Sequence, residues 1–331
     1  MMTGSPVPSN IPEGQKVETD TYTEVTHESW FARVGKSVAG VVVGILLVVA
    51  AGALLFWNEG RSVRRYQTLD AGQKQVISID ADTVDDGTAG RLVHLSGEAS
   101  ASKPLRDPDF GLSLTALRLQ RVVEMYQWTE SKETKTRNKV GGGKEKTTTY
   151  RYSKRWVDHR VDHHRFQKPG GHANPTEMPY ANQDYVSIYS RLGAFRLSPT
   201  VVQRIRGFAD VDIDAALIPE KVPQDAKRHG DWLYFGPQPG TPQVGDVRVS
   251  FRAVYPTWIS LVAQQQKDRL VPYPSASGEL VLVKNGEHGA EALFEGARQS
   301  NAALTWGVRA GGALLMGIGF FLVLGPLATV A

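Results

Sequence analysis

The residues best equipped for chemistry lie in one stretch, Asp158-His159-Arg160-Val161-Asp162-His163-His164. His159 and His163 are four apart, a spacing that on a helix lets two imidazoles share a metal ion. The stretch follows a predicted strand, carries arginine and lacks the glutamate of an HExxH arrangement. A solvated, charged turn is the better reading, and no metal or other cofactor is expected. Asp210, Asp212 and Asp214 are spaced like the opening of a calcium loop. Ala215 at the sixth position and Lys221 at the twelfth exclude an EF-hand, leaving the wet face of an extended segment. Gly141-Gly142-Gly143-Lys144 is followed by Glu145, and position 138 is Asn, so it is not a phosphate loop. The chain has no cysteine, which removes thiolate chemistry and disulfides, and no GxSxG. No enzyme is expected from this inventory.

The elements that would carry these residues are set by two apolar runs. Val38 to Trp57 is free of charge for 20 residues, long enough as a helix to cross about 30 Å of hydrocarbon. Ala310 to Ala331 is the second run. The first begins too late in the chain for a secretory signal and lacks a usable cleavage site, so a retained anchor is expected. Trp30, Phe31, Trp57 and Trp306 are of the ring types that favour the headgroup region, with Arg61 and Arg309 beside them. Gly40 and Gly44 form GxxxG, which lets two helices approach closely. A count of positive residues leans, by one or two, towards a cytoplasmic middle domain. The net charge of +4 over 331 residues is small, and much of the excess sits in one loop, so nucleic acid is not an expected partner.

These runs divide the chain into residues 1–29, a disordered tail; 30–57, an interfacial segment and first span; 58–305, a hydrophilic domain; and 306–331, a second span in which the chain ends. After Asn58-Glu59-Gly60-Arg61 a linker is expected. Strands are predicted at Gln75–Ile79, Arg91–Gly97, Tyr185–Tyr189, Trp232–Phe235, Asp246–Val254, Trp258–Gln264 and Gly278–Lys284 from their alternation. Val122–Glu130 and Tyr150–Val157 read as a long β-hairpin with a flexible, charged tip containing Lys132, Lys135, Arg137, Lys139, Lys144 and Lys146. Tyr150, Tyr152 and Trp156 share the face expected to be buried. Ser198-Pro199 opens a helix, and Glu287–Thr305 is a helix that feeds directly into the second span. The fold class is α+β, a mostly β extramembrane domain inserted between two transmembrane α-helices.

Several motifs, in order along the chain, resemble the transmembrane protein 43 family, also called LUMA. They are Asn58-Glu59-Gly60-Arg61, Gly90 to His94, Asp107-Pro108-Asp109-Phe110-Gly111 and Val123-Glu124-Met125-Tyr126-Gln127-Trp128. Further on come Trp156, His172-Ala173-Asn174-Pro175, Gly245 to Phe251, Leu270-Val271-Pro272, Asn301 and Thr305 to Arg309. The resemblance implies a multi-span protein without known catalytic activity. It also implies oligomers, an aqueous domain on the luminal or extracytoplasmic side, and residence in the endoplasmic reticulum and inner nuclear membrane of nucleated cells. Lamin- and emerin-like partners are implied for those members only. The lack of cysteine points to a bacterial member in a cell membrane. The family continues into further spans, so a fragment or a reduced two-span form is expected.

Three functions follow as hypotheses. One is a non-enzymatic membrane scaffold that binds the bilayer, itself and membrane or envelope proteins. Another is a tethered sensor for a lipid or small ligand. A metal enzyme using His159 and His163 is the third.

Overall fold

The structure is a computed structural model that describes residues 20–28, 30–138, 144–218 and 222–325. Two long helices dominate it, α1 (Trp30–Gln75) and α4 (Ala290–Leu324); α2 (Pro199–Val202) and α3 (Ile213–Ala216) are single turns. The long pair is antiparallel, since Gly44 meets Gly319, Leu55 meets Gly312 and Gly72 meets Phe294. Small or short residues recur every seventh position along the seam, Gly44, Ala51 and Asn58 on α1 and Thr305, Gly312 and Gly319 on α4. That period keeps one narrow stripe of each helix turned to the other. The opposite faces expose Val42, Leu46, Val49, Phe56 and Trp57 on α1 and Leu314, Phe320 and Phe321 on α4. An apolar surface this continuous suits lipid and not water.

Beyond Trp57 no linker appears: α1 continues through Arg61, Arg64, Asp70 and Lys74 to Gln75. Gly60 makes the segment look like a break, at about 1 kcal/mol relative to alanine. Contacts with α4 across Asn58, Ser62 and Leu69 outweigh that local preference. At the other end, the predicted fusion of the helix after Glu287 with the second span is observed as the unbroken α4.

Two sheets fill the middle. The first runs β1 (Asp20–Glu28), β7 (Lys144–Val157), β6 (Arg118–Asn138), β14 (Val247–Val254), β13 (Trp232–Phe235) and β12 (Lys227–His229). There β11 (Ala209–Asp210) pairs with β14, and β8 (Gln183–Val186) with β6. The second runs β19 (Leu282–Asn285), β15 (Thr257–Gln266), β16 (Arg269–Val271), β10 (Phe195–Leu197), β9 (Ser190–Leu192), β3 (Leu92–Ala101) and β2 (Ile77–Ser78). Two small hairpins, β4 (Leu105–Asp107) with β5 (Leu112–Leu114) and β17 (Tyr273–Ser275) with β18 (Gly278–Leu280), complete it. β3 also pairs with β15 and is buried on both faces. Val93 and Leu95 face a core shared with Ile259, Leu261 and Phe195. Leu92 joins Val262, Leu280 and Leu282 against Leu69 of α1 and Phe294 of α4. The domain's own core thus includes the ends of both long helices.

Some strand predictions need correction. The stretch Gly278–Lys284 is divided between β18 and β19, and Tyr185–Tyr189 shrinks to β8, ending at Val186. The charged hairpin tip is strand as far as Asn138 and from Lys144 onward, because threonines alternate with the charges and Glu133 pairs with Arg151 across the ladder. Lys139 and Gly141–Gly143 lie outside the described residues. Tyr150 and Tyr152 are buried as expected, and Trp156 is half-buried.

The tail expected to be disordered supplies β1, whose nine residues pair with β7 from Asp20↔Tyr152 to Glu28↔Lys144; residues 1–19 lie outside the described residues. Only Ser29 separates β1 from α1. If residues 38–57 cross a bilayer, residue 28 lies on one side and β7 on the other, so the β1–β7 ladder and the crossing exclude each other. Cysteines at the opposed positions Thr23 and Thr149 are therefore expected to stay unlinked under mild oxidation in membranes and to link only in uninserted chains. A linked pair in the embedded protein would mean that α1 does not cross.

The helix-facing side of β3 holds a buried titrating group. His94 is buried, with Nε2 2.9 Å from the His288 carbonyl and Nδ1 3.1 Å from Ser78 Oγ. A carbonyl only accepts, so Nε2 carries the proton and Nδ1 accepts from the serine in the neutral ring. Burial pushes the imidazole below its ordinary 6.5, against the pull of that carbonyl. The unfolded chain then binds more protons than the fold as pH falls from 6.5, so stability present above 6.5 is lost on acidification. His94→Gln keeps a donor without the titration. Its melting profile between pH 7.5 and 5 is expected to be flatter than the parent's; parallel profiles would refute this.

Candidate functional site

Three groups of predicted site residues can now be located, and the first joins the helices. At the level of Trp57 and Trp306, both exposed, the seam turns polar. Asn58 Nδ2 donates to the Thr305 carbonyl at 3.3 Å. Arg61 donates to Asn301 Oδ1 at 3.1 Å, and to Asn58 Oδ1 and Thr305 Oγ1 at 3.2 Å. Asn301 Nδ2 donates in turn to the Ser62 carbonyl at 3.1 Å. Arg309 makes a two-pronged pair with Glu59, both contacts 2.7 Å, while its guanidinium lies 4.7 Å from the Trp306 ring centre. Arg61 and Arg309, expected at the membrane interface, thus tie α1 to α4. Each polar group in this partly buried cluster has a partner, which fixes the register of the two helices. The side chains of Trp30 and Phe31 lie outside the described residues.

The helix-packing glycines separate. A Cβ on Gly44 would stand 2.6 Å from the Gly319 carbonyl oxygen, so this glycine permits close approach within the chain. Gly40 has nothing within 4 Å of such a position.

The family-motif residues form the second group, on β6, β7 and the loop after them. Val123, Met125 and Gln127 point inward, leaving Glu124, Tyr126 and Trp128 on the other face. Glu124 receives Arg248 Nε at 2.7 Å, and that guanidinium lies 4.6 Å from the ring centres of both Trp156 and Trp232. Tyr126 packs on Trp156 at 5.3 Å. Asn174 behaves as a detached piece of strand: its Oδ1 accepts from the Trp128 N–H at 2.7 Å and its Nδ2 donates to the Trp128 carbonyl at 2.9 Å. Buried His172 stacks on Tyr152 at 4.0 Å and meets Trp128 edge-on at 4.8 Å. Burial, with the Glu130 carboxylate as second cause, pushes the Tyr152 hydroxyl up to about 12. Pro175 closes against Gly245, whose positive φ of 101° suits glycine. These contacts hold and seal the sheet. Arg248 and Trp232 were given no role from the sequence, although arginines at alternate-face positions of the β14 pattern are the signal for such pairs, Arg248 with Glu124 and Arg252 with Asp210.

The histidines form the third group, and the helical spacing argument fails for them. His159 precedes a single 3-10 turn, His163–Arg165, and its exposed ring bonds Asp158 at 2.9 Å. The group brought together is Asp162, His163 and His164, with one potential ligand atom from each lying within 4.8 Å of the others. Asp162 there caps the turn by accepting from the His164 N–H at 3.2 Å. Asp210, Asp212 and Asp214 also serve locally: Asp212 caps α3, and the others pair with Arg252 and Arg228.

The family description "Transmembrane protein 43" matches residues 125–331. The chain is 33% identical to the mouse protein "Transmembrane protein 43" over 317 residues, covering 91% of this chain and 78% of that one. The human protein of that name is 32% identical over 303 residues, with 88% and 75% covered. A Drosophila melanogaster homologue is 31% identical over 284 residues, with 83% and 74% covered. No solved structure matches. By its motifs, its two long apolar helices and these similarities, the chain is a membrane protein and belongs to the transmembrane protein 43 family.

Proposed function

We propose that the protein is a non-enzymatic membrane scaffold, holding its aqueous domain in a fixed pose against the bilayer so that copies of itself and other membrane proteins can assemble on it. The observation that carries this reading is the shared core. Leu69, Leu293 and Phe294 of the long helices pack in one cluster with Leu92, Val262, Leu280 and Leu282 of the domain. A domain continuous with its anchors cannot swing on a tether, and fixed geometry is what an assembly platform needs. The family resemblance favours the luminal or extracytoplasmic side for this domain. It also favours the endoplasmic reticulum and inner nuclear membrane in a nucleated cell, with lamin- and emerin-like partners, or the cell membrane in a bacterium.

The test is the mass of the intact protein in mild detergent by light scattering. A defined homo-oligomer that persists on dilution is the expected result; a monomer at every concentration sinks the self-assembly on which the scaffold reading relies.

A further inference from the structure

Beside the domain-side end of α1 and α4 lies a cavity of about 920 Å³. Six cations line it: Arg61, Arg64 and Arg65 from α1, Arg204 and Arg206 from the turn after α2, and Lys284 from β19. Glu279 is the one carboxylate on the same wall. Among the described residues, none of the six forms an ion pair. Arg65 stands within the fields of both Arg61 and Arg204, so the cluster repels itself. Its concave wall focuses positive potential towards an anion.

Two further features say which anion. Arg61 and Arg65 follow Trp57 by four and eight residues, about 6 and 12 Å of helix rise. With the Trp57 ring at the headgroup level, Arg61 stands about one helical turn to its aqueous side and Arg65 one turn further, so the cations begin beside the headgroups and extend into water. Ser277 Oγ, on the same lining, is buried and has no hydrogen-bond partner, leaving a hydroxyl for a phosphate oxygen. Leu304 of α4 adds an apolar rim at the membrane end. A volume near 900 Å³ is in the range of small-molecule sites.

We propose that this cavity binds the phosphate-bearing headgroup of an anionic phospholipid, with Arg64, Arg65, Arg204 and Arg206 on the phosphate oxygens, Arg61 kept in the helix seam by Asn58, Asn301 and Thr305, and the acyl chains left in the bilayer. The site stands apart from the scaffold reading, because an oligomer without lipid affinity, or a lipid-binding monomer, would fail one and keep the other.

The experiment titrates intact, detergent-solubilised protein with dioctanoyl phosphatidylglycerol, dioctanoyl phosphatidylcholine or inorganic phosphate and reads the melting midpoint. Phosphatidylglycerol is expected to raise it and phosphatidylcholine to leave it in place. Arg204→Gln with Arg206→Gln, both exposed and outside the long helices, is expected to weaken the phosphatidylglycerol effect at least tenfold. Lys284→Gln, on another wall, tests the same site if that turn is disturbed. An equal response to phosphatidylcholine, or unchanged affinity in a folded variant, overturns the proposal. Inorganic phosphate matching the lipid at equal concentration overturns the lipid and assigns the cavity to soluble phosphate.

Discussion

Replacing Asp107 with alanine is expected to destabilise the aqueous domain by about 3–5 kcal/mol, the usual cost of leaving one member of a buried ion pair alone. Both Asp107 oxygens lie 3.0 Å from Arg121 Nη1, and the two side chains are 0% and 6% exposed. The guanidinium also donates to the Ala181 carbonyl at 2.9 Å and lies 5.0 Å from the Phe110 ring centre. Without Asp107 its remaining carboxylate is Asp109, 2.7 Å away but 55% exposed. Burial pushes the Asp107 carboxyl above its ordinary range while Arg121 pulls it down, so desolvation exceeds the attraction. A pair with that balance is costly to halve and inexpensive to remove whole. Asp107→Leu with Arg121→Met should therefore melt well above Asp107→Ala, and Asp109→Ala should lose about 1 kcal/mol or less. The measurement is denaturant unfolding of the purified protein. An Asp107→Ala variant as stable as its parent would show that the buried cation does not depend on this partner.

Asp107 and Arg121 also illustrate what the sequence conceals. The segment Lys103–Gly111 reads as a loop because of its two prolines, yet it contains β4 and delivers a carboxylate to a site 14 residues further along. Local pattern reports the strands whose two faces differ, such as β13 and β14, and these were legible almost to the residue. It misreads β6 beyond Glu130, where charged residues alternate with threonine and the ladder is made by pairing with β7. The family motif was legible as a string, but its work was not. Asn174 pairs with a backbone 46 residues away, and nothing near it in the chain announces that. The histidine pair fails for the opposite reason: its spacing is informative only on a helix, and the chain there makes one 3-10 turn. The seven-residue recurrence of Gly44, Ala51 and Asn58 was present in the sequence, while GxxxG paired Gly44 with Gly40, which has no neighbour at the seam.

That seam carries the other large effect. Gly44→Leu or Gly319→Leu is expected to cost about 3 kcal/mol or more and to splay the helices. A Cβ at Gly319 would lie 2.8 Å from Val48 Cγ2 and 2.9 Å from the Gly44 carbonyl oxygen, and backbone cannot yield as a side-chain end can. Overpacking alone accounts for about 1–3 kcal/mol. The remainder comes from further along the same rigid pair. Separation there would stretch the bonds from Arg61 to Asn301 and from Asn58 to Thr305, and each buried polar group left unpaired costs about 1–3 kcal/mol. Since both glycines serve one contact, the double variant should lose little more than either single one, a strong departure from additivity. Gly40→Leu supplies the contrast, because nothing stands within 4 Å of its Cβ position. It should melt like the parent, and if Gly40 instead faces a second copy, it should change the detergent-phase mass while leaving the midpoint alone. Equal midpoints for Gly40→Leu and Gly44→Leu would break the argument, since the tight crossing of α1 and α4 would then carry none of the fold's stability.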